Sequence, residues 1–257
     1  MNSFVNLVVF CIAKSVYIIT PKLKAALAEM VLRLSVGNWL YSIYGVKLKK
    51  HWSDATFRFC ANGLYGTYLS RFLAELRPNF SFVDIGANLG LYSLVAARSR
   101  GVKKIYAFEP NPFVYEYLVA NVALNAANIS TYQAAIAASD GNQSFSFDST
   151  HTGTGGLTSS GEQQISVVCR NFSIFDEIQN EDEGQKVVKI DVEGYEPVVI
   201  AELFKSKMAA SIKFIYFEVY KNRYDTQEVE NILERQGFKV LHKEGSGLHY
   251  DVMYVRK

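Results

Sequence analysis

With 257 residues, 49% of them apolar and 14% aromatic, the chain has material for one packed domain of generous size with an appendage, which excludes a disordered or collagen-like polymer. Lys and Arg number 27 against 25 Asp and Glu, and the net charge of +2 gives no reason to expect nucleic acid as the principal substrate while leaving room for a local basic patch. Cys11, Cys60 and Cys169 are odd in number and lack CxxC spacing, so neither a disulfide framework nor a structural zinc site is expected, and a reducing compartment fits.

The chain opens on an apolar run, Phe4 to Ala13, followed by Lys14, Ser15 and Val16 to Ile19. No basic residue precedes the run and no small-residue cleavage site follows it. Asn6, Lys14 and Ser15 interrupt the roughly 20 apolar residues that a bilayer span requires. The segment reads as a helix packed on the domain or on a partner subunit, or, with Lys14, Lys22 and Lys24, as a helix lying on a membrane surface. Residues 1 to about 44 read as helical up to Gly45, and Val46 to Trp52 with Ala55 to Cys60 reads as a β-hairpin turning at Ser53 and Asp54. This gives an N-terminal helical and β-hairpin cap over 1–62 and a main domain over 63–257.

Leu69, Phe72, Leu73 and Leu76 have helical spacing, and Pro78 and Asn79 are expected to stop that helix. Strand-like runs then alternate with helical stretches. The strands are expected at Phe82 to Ile85, Lys104 to Phe108, Ile129 to Ala135, Val187 to Val192 and Phe214 to Val219. The helices are expected at Leu91 to Ser99, Phe113 to Asn125, Tyr195 to Phe204 and Asp225 to Gln236. Continuous apolar strands between helices predict a doubly wound α/β fold with a mostly parallel seven-stranded sheet, closed by an antiparallel pair at Phe238 to His242 and Asp251 to Val255. One stretch breaks the rhythm. In Ser149 to Gly161, 11 of 13 residues are Ser, Thr or Gly, which predicts a mobile loop, either a lid or a plain connection, presented by a ribbon of Ser144 to Phe147 and Ile165 to Val168.

Three strand ends carry the chemistry. Phe82 to Gly90, FVDIGANLG, runs from a strand through a glycine turn into a helix, where open parallel sheets hold the polar part of a cofactor. Asn88 stands where a pyrophosphate-binding GxGxxG has its second glycine, which argues against a nicotinamide-dependent oxidoreductase. Asp84 just before the turn would repel phosphate but suit the amino group and sulfonium of S-adenosylmethionine. About 25 residues on, Glu109 in AFEPNP ends the next strand, where a carboxylate can accept from both ribose hydroxyls. Finally, Lys189 to Glu196, KIDVEGYE, puts Asp191 and Glu193 at the end of the fourth parallel strand. There they could act as a general base or hold a hard cation such as magnesium, although no metal ligand set is assigned. The alternatives are that one of them caps the next helix or anchors Lys189. His151 could act as a base from its loop or simply be solvated, and His51, His242 and His249 have no partner spacing. Glu218 and Tyr220 could touch an acceptor or belong to a salt bridge.

Taken in order, FVDIGANLG, YAFEPNP, the helix end at Asn121 to Asn125, Ala135 to Gly141, FDEI at Phe175 to Ile178 and KIDVEGYE resemble the FkbM family of S-adenosylmethionine-dependent methyltransferases, over roughly residues 62 to 220. The resemblance implies a Rossmann-like class I methyltransferase acting on a hydroxyl, often of a sugar in a glycan or glycosylated product. It implies that Asp84, Gly86, Ala87, Asn88 and Gly90 line the methionine side of the cofactor, Glu109 and Asn111 the ribose side, and Ala135 and Ile136 the adenine side. The expected partner is a small-molecule or glycan acceptor. The expected location is cytoplasmic, with contact to the inner membrane face or to another subunit through the apolar N-terminus. The rival from another class is a non-catalytic cofactor-binding assembly protein on the same fold.

Overall fold

Two mostly apolar runs, Phe80–Ile85 and Lys186–Ile190, lie side by side in a seven-stranded sheet, and every residue of both is buried. Parallel strands covered on both faces require this pattern. The computed structural model describes residues 2–19, 24–76, 79–158 and 160–257.

The N-terminal part comprises helices α1 (Asn2–Ile19) and α2 (Lys24–Leu32), strands β1 (Trp39–Tyr41) and β2 (Lys47–Lys49), and helices α3 (Ala55–Asn62) and α4 (Thr67–Glu75). Next come β3 (Phe80–Ile85), α5 (Leu91–Ala97), β4 (Val102–Phe108), α6 (Pro112–Leu124) and β5 (Ser130–Tyr132). An excursion of β6 (Ala135–Ile136), β7 (Gly141–Asp148), β8 (His151–Gly156) and β9 (Gln163–Arg170) leads to α7 (Ser173–Glu181). The chain returns through β10 (Lys186–Ile190), α8 (Glu196–Lys205), β11 (Ile212–Tyr220), α9 (Thr226–Arg235), β12 (Phe238–Ser246) and β13 (His249–Arg256).

The large sheet has the order β12-β13-β11-β10-β3-β4-β5, parallel from β5 to β11, with β13 and β12 antiparallel at one edge. It is the doubly wound, mostly parallel α/β fold that the alternation predicts. The chain runs outward from β3 to β5 and then resumes at β10 on the other side of β3. The carboxyl ends of β3 and β10 therefore flank the switch point, where such sheets bind ligands. The excursion forms a second, four-stranded sheet, β6-β9-β7-β8.

The N-terminal part departs from the sequence reading in two ways. Helix does not continue to Gly45: α2 ends at Leu32, and Trp39 to Tyr41 pairs with Lys47 to Lys49, Leu40 facing Leu48. Ala55 to Cys60 is helical, not the second arm of a hairpin. Asp54 serves as an N-cap, accepting from the N–H groups of Thr56 and Phe57, and Gly63 in the left-handed conformation (φ 73°) ends the helix. Aspartate favours both turns and N-caps, and the apolar spacing of Phe57, Cys60 and Ala61 decides for helix. Pro78, the expected stop for α4, lies outside the described residues, as does Lys22. The cap shares a core with the sheet, since Val9, Leu32, Leu48 and Phe57 belong to one buried cluster with Phe82, Leu94 and Tyr216.

The Ser/Thr/Gly stretch is not a free loop. His151–Gly156 is β8, an edge strand on β7, and it is tied to the cap. Thr152 donates to Asp54 from its backbone N–H (2.9 Å) and its hydroxyl (3.0 Å), and the Gly153 N–H donates to the Thr56 hydroxyl (2.7 Å). Small residues here let a strand lie close against a helix, which composition alone cannot distinguish from mobility.

Candidate functional site

At the end of β3 the chain turns through Gly86 (φ 76°), Asn88 (φ 50°) and Gly90 (φ 83°) into α5. A Cβ on Gly90 would meet Leu118 of α6 at 2.5 Å, so this glycine seats helix on helix. The N–H groups of Gly86 and Ala87 both donate to the Phe108 carbonyl (3.0 and 2.8 Å), which binds the turn to β4. Glu109, at the tip of β4, accepts from the Asn88 N–H and the Asn111 N–H, each at 2.9 Å, and so staples the first turn to the second. Burial pushes its carboxyl up to about 7, against the opposing pull of the Asn111 and Asn88 N–H groups and of Lys189. Asn111 and Pro112 start α6, the asparagine side chain accepting from the Phe113 N–H. The buried Asn121 donates to the Leu89 carbonyl (2.9 Å) and holds the turn from α6.

These turns form the floor of a narrow cleft of about 50 Å³. Gly86, Asn88 and Glu109 line it, with Ala135 and Ile136 on one side, Thr152, Gly153 and Gly155 to Leu157 from the β8 region across it, and Asp191, Val192 and Tyr195 at its end. Six of the eleven residues singled out in the sequence thus meet at one cleft: Gly86, Asn88, Glu109, Ala135, Ile136 and Asp191. The others stand behind it or beside it. Ala87 and Gly90 build the turn, and Asn111 caps α6. Asp84, expected beside a sulfonium, is fully buried, accepts from the Ser93 hydroxyl (2.7 Å), pairs with Lys189 (3.4 Å) and stands behind the cleft lining.

Lys189, named in the sequence only as a residue that Asp191 or Glu193 could anchor, is the hub of the site. Its ammonium lies 3.4 Å from Asp84 and 3.3 Å from Asp191 and donates to the Gly86 carbonyl (2.7 Å). Burial draws its pKa down, but Asp191 and Asp84 outweigh burial and the net shift is upward. The lysine stays charged and pairs with both carboxylates, of which Asp191 is the one that lines the cleft.

Asp191 also lines a second, larger cavity of about 400 Å³, which shares Tyr65 and Gly153 with the first. Glu193 belongs to this one (φ 57°), in a left-handed conformation unusual for a residue with a side chain, and is paired with Arg223 at 2.7 Å. The Glu193 turn is knitted by Glu196, which accepts from the N–H groups of Val192 (3.1 Å) and Gly194 (3.0 Å). Glu218 accepts from the Tyr220 hydroxyl (2.7 Å) and contacts His249, whose ring stacks on Tyr220 at 4.5 Å. Asp251 stands opposite Glu218 on β13. Burial raises the pKa of Glu218 far above the carboxylate range, helped by Asp191, and raises Asp251 to about 7 by the same two causes. Burial also raises Glu193, again with Asp191, against the pull of Arg223.

Oxygens of Asp191, Glu193 and Glu218 lie within 4.8 Å of one another, a donor set of the type hard divalent cations take. The sequence supplied two of the three. Glu218 joins them because β11 neighbours β10, a pairing that only the topology reveals. His151, a candidate base in the sequence, lines the larger cavity, as does His249, which spacing gave no role, whereas His51 and His242 stack on Tyr117 (4.7 Å) and Tyr68 (3.7 Å) away from it.

Comparison with known proteins bears on what such a site is for. A family model described as the methyltransferase FkbM domain matches residues 84–240, which is more than half of the chain. The chain belongs to the FkbM methyltransferase family. Among curated relatives, it is 26% identical over 164 residues to the hexuronic acid methyltransferase AglP of Haloferax volcanii, covering 63% of this chain and 64% of that protein. It is 49% identical over 53 residues to the methyltransferase sdnD of Sordaria araneosa, covering 21% of this chain and 20% of that protein. The match thus spans less than two thirds of either relative. Among solved structures, a precorrin-6y C5,15-methyltransferase of Geobacter metallireducens aligns at 14% identity with a TM-score of 0.41, covering 74% of this chain and 86% of that one. A ribosomal protein L11 methylase of Lactobacillus delbrueckii aligns at 13% identity with a TM-score of 0.43, covering 74% and 78%.

Proposed function

We propose that the protein transfers a methyl group from S-adenosylmethionine to a hydroxyl of a carbohydrate-containing acceptor. The observation that carries this reading is the meeting of two cavities at Asp191, one walled by cofactor-type turns and the other by carboxylates and tyrosines.

On the donor side, Glu109 keeps lone pairs free for two ribose hydroxyls, and Ala135 and Ile136 offer an apolar wall to a purine. The cofactor would bring a methyl group on a positive sulfur, and Asp191 is the carboxylate at that end of the cleft. The cleft's 50 Å³ falls below the roughly 300–1,000 Å³ of small-molecule sites, so the reading requires the glycine-rich edge of β8 to draw back as the cofactor enters.

On the acceptor side, Asp191 orients the hydroxyl and takes its proton as the new carbon–oxygen bond forms. Glu193, fixed by Arg223, positions the acceptor. The rings of Tyr65, Tyr92 and Tyr216 provide faces for a sugar, and the carboxyl groups accept from its hydroxyls. The relative named for a hexuronic acid supports a carbohydrate acceptor. A divalent cation on Asp191, Glu193 and Glu218 would serve the same end by acidifying the hydroxyl.

Calorimetric titration with S-adenosylmethionine and S-adenosylhomocysteine tests the donor half. Both should bind the wild type, and Glu109→Ala should lose most of the affinity. A folded wild type that binds neither ligand overturns the reading. Labelled methyl transfer to a panel of glycosides, with and without magnesium, tests the acceptor half.

A further inference from the structure

Helix α1 is apolar on both sides, and among the described side chains, Asn2 to Ser15, only one of them is covered. Asn6, Val9 and Ala13 are buried against the cap, and the Asn6 amide bonds the Val36 and Trp39 carbonyls. The opposite stripe carries Phe4, Leu7, Val8 and Ile12, which are 72%, 46%, 42% and 50% exposed, with Cys11 between them. Met30 (66%) and Leu34 (69%) add to the exposed apolar surface of the helical hairpin. A helix that is apolar all round belongs in a buried setting, so this stripe has a covering partner.

Charge identifies the partner. The first 52 residues hold seven Lys and Arg against one acidic residue, Glu29, and so carry +6, while the other 205 residues sum to −4. Glu29 is itself paired with Arg33 (2.6 Å) and accepts from Asn62 (2.9 Å). A second copy laid on this face would set Lys14 and Lys47 against basic residues of its own kind. A nucleic acid would meet the charge but leave the apolar stripe wet. An anionic lipid surface satisfies both.

The side chains beside the stripe fit that partner. The Lys14 ammonium lies 5.6 Å from the Phe10 ring, Phe10 lies 5.6 Å from Tyr41, and the Lys47 ammonium lies 5.3 Å from Trp39 and 5.8 Å from Tyr41. Aromatic rings with lysine heads at the edge of an apolar face are characteristic of the headgroup zone. Among the described residues no helix is long and apolar enough to cross a membrane. We infer that α1 and the end of α2 form an interfacial anchor that lies in the headgroup layer of an anionic bilayer.

The test is co-sedimentation of the full chain with vesicles of phosphatidylcholine alone or mixed with phosphatidylglycerol, at low and high salt. Sedimentation is expected with the anionic vesicles, weakened by salt. The paired variants Leu7→Asp with Ile12→Asp, and Lys14→Glu with Lys47→Glu, should each weaken it about tenfold or more. All four side chains are exposed or on the rim, so both variants should keep the wild-type melting temperature and cofactor affinity. Wild type that stays in the supernatant with both vesicle types overturns the inference. So does a dimer, seen by analytical ultracentrifugation, that the Leu7→Asp and Ile12→Asp pair dissolves, because the stripe would then cover a second copy.

Discussion

The carbonyl oxygen of Asp191 occupies the place where a side chain at Gly86 would begin: a Cβ built there would lie 1.8 Å away. The ends of β3 and β10 are closed on each other at this point, and the Asp191 N–H also donates to the Ile85 carbonyl (3.1 Å). Gly86, which opens the turn after β3, and Asp191, at the end of β10, are therefore in direct backbone contact.

Gly86→Ala should destabilise the fold by several kcal/mol, beyond the roughly 1–3 kcal/mol of left-handed strain, and abolish cofactor binding. Gly237 is the matched control, since its φ is 81° and a Cβ there meets nothing within 4 Å. Gly237→Ala should cost only about 1 kcal/mol. Chemical denaturation of the two variants reads the difference, and equal losses would mean that the clash is relieved by movement.

Glu109 and Glu196 are raised from 4.5 to about 7, and Asp251 from 3.8 to about 7, chiefly by burial. A carboxyl group raised by folding disfavours its charged form in the native state. The resulting destabilisation is absent below the unfolded value and complete above the folded one, so stability should fall as pH climbs from about 4 to 7. Urea midpoints across that range should show the decline, and Glu109→Gln should flatten part of it. Cofactor affinity should move the other way and rise towards neutral pH, because ribose hydroxyls donate best to an ionised Glu109.

Asp191→Asn should lower turnover by about 10²–10⁴-fold while changing cofactor affinity little, as expected of a proton acceptor. Equal losses in both would make it a cofactor ligand. His249 lines the same cavity and contacts Glu218, and burial holds its pKa below the ordinary value, which makes it the rival base by position. His249→Ala with full activity leaves Asp191 as the base, and collapse of activity in that variant alone moves the role to the histidine.

The wall of the larger cavity carries Asp191, Glu193, Glu218 and Asp251, and its cations Lys189 and Arg223 are already engaged. A neutral glycoside should therefore gain in kcat/KM over the matching uronate as the pH rises through about 7 and Asp251 takes on its charge, since like charges brought together in a cavity repel. Competition between such a pair for labelled methyl groups measures the ratio.

The sheet and its switch point were legible in the sequence because each strand there is a short apolar run bounded by helices. Glu109 was legible for a related reason, since a carboxylate at a strand tip has few places to go. What escaped was the second cavity. Glu218, Asp251 and Arg223 reach Asp191 through the β10–β11–β13 neighbourhood, an adjacency between segments dozens of residues apart that no local spacing encodes. The place of Asp84 behind the cleft lining escaped as well, because an acidic residue before a glycine turn looks the same whether it faces a ligand or a buried lysine. The +6 of the N-terminal segment was hidden by the near-neutral total.

Asp54 begins α3 and also grips Thr152 of β8, while at the other end of the same helix Asn62 bonds Glu29 of α2. One rigid lever thus joins the helical hairpin to the glycine-rich strand across the cleft. Asp54→Ala should cost about 2 kcal/mol and speed amide exchange along β8. The edge of the donor chamber is in this sense hinged from the N-terminal segment, so removing that segment would alter the chamber itself, and the two would have to be inherited, or engineered, as a unit.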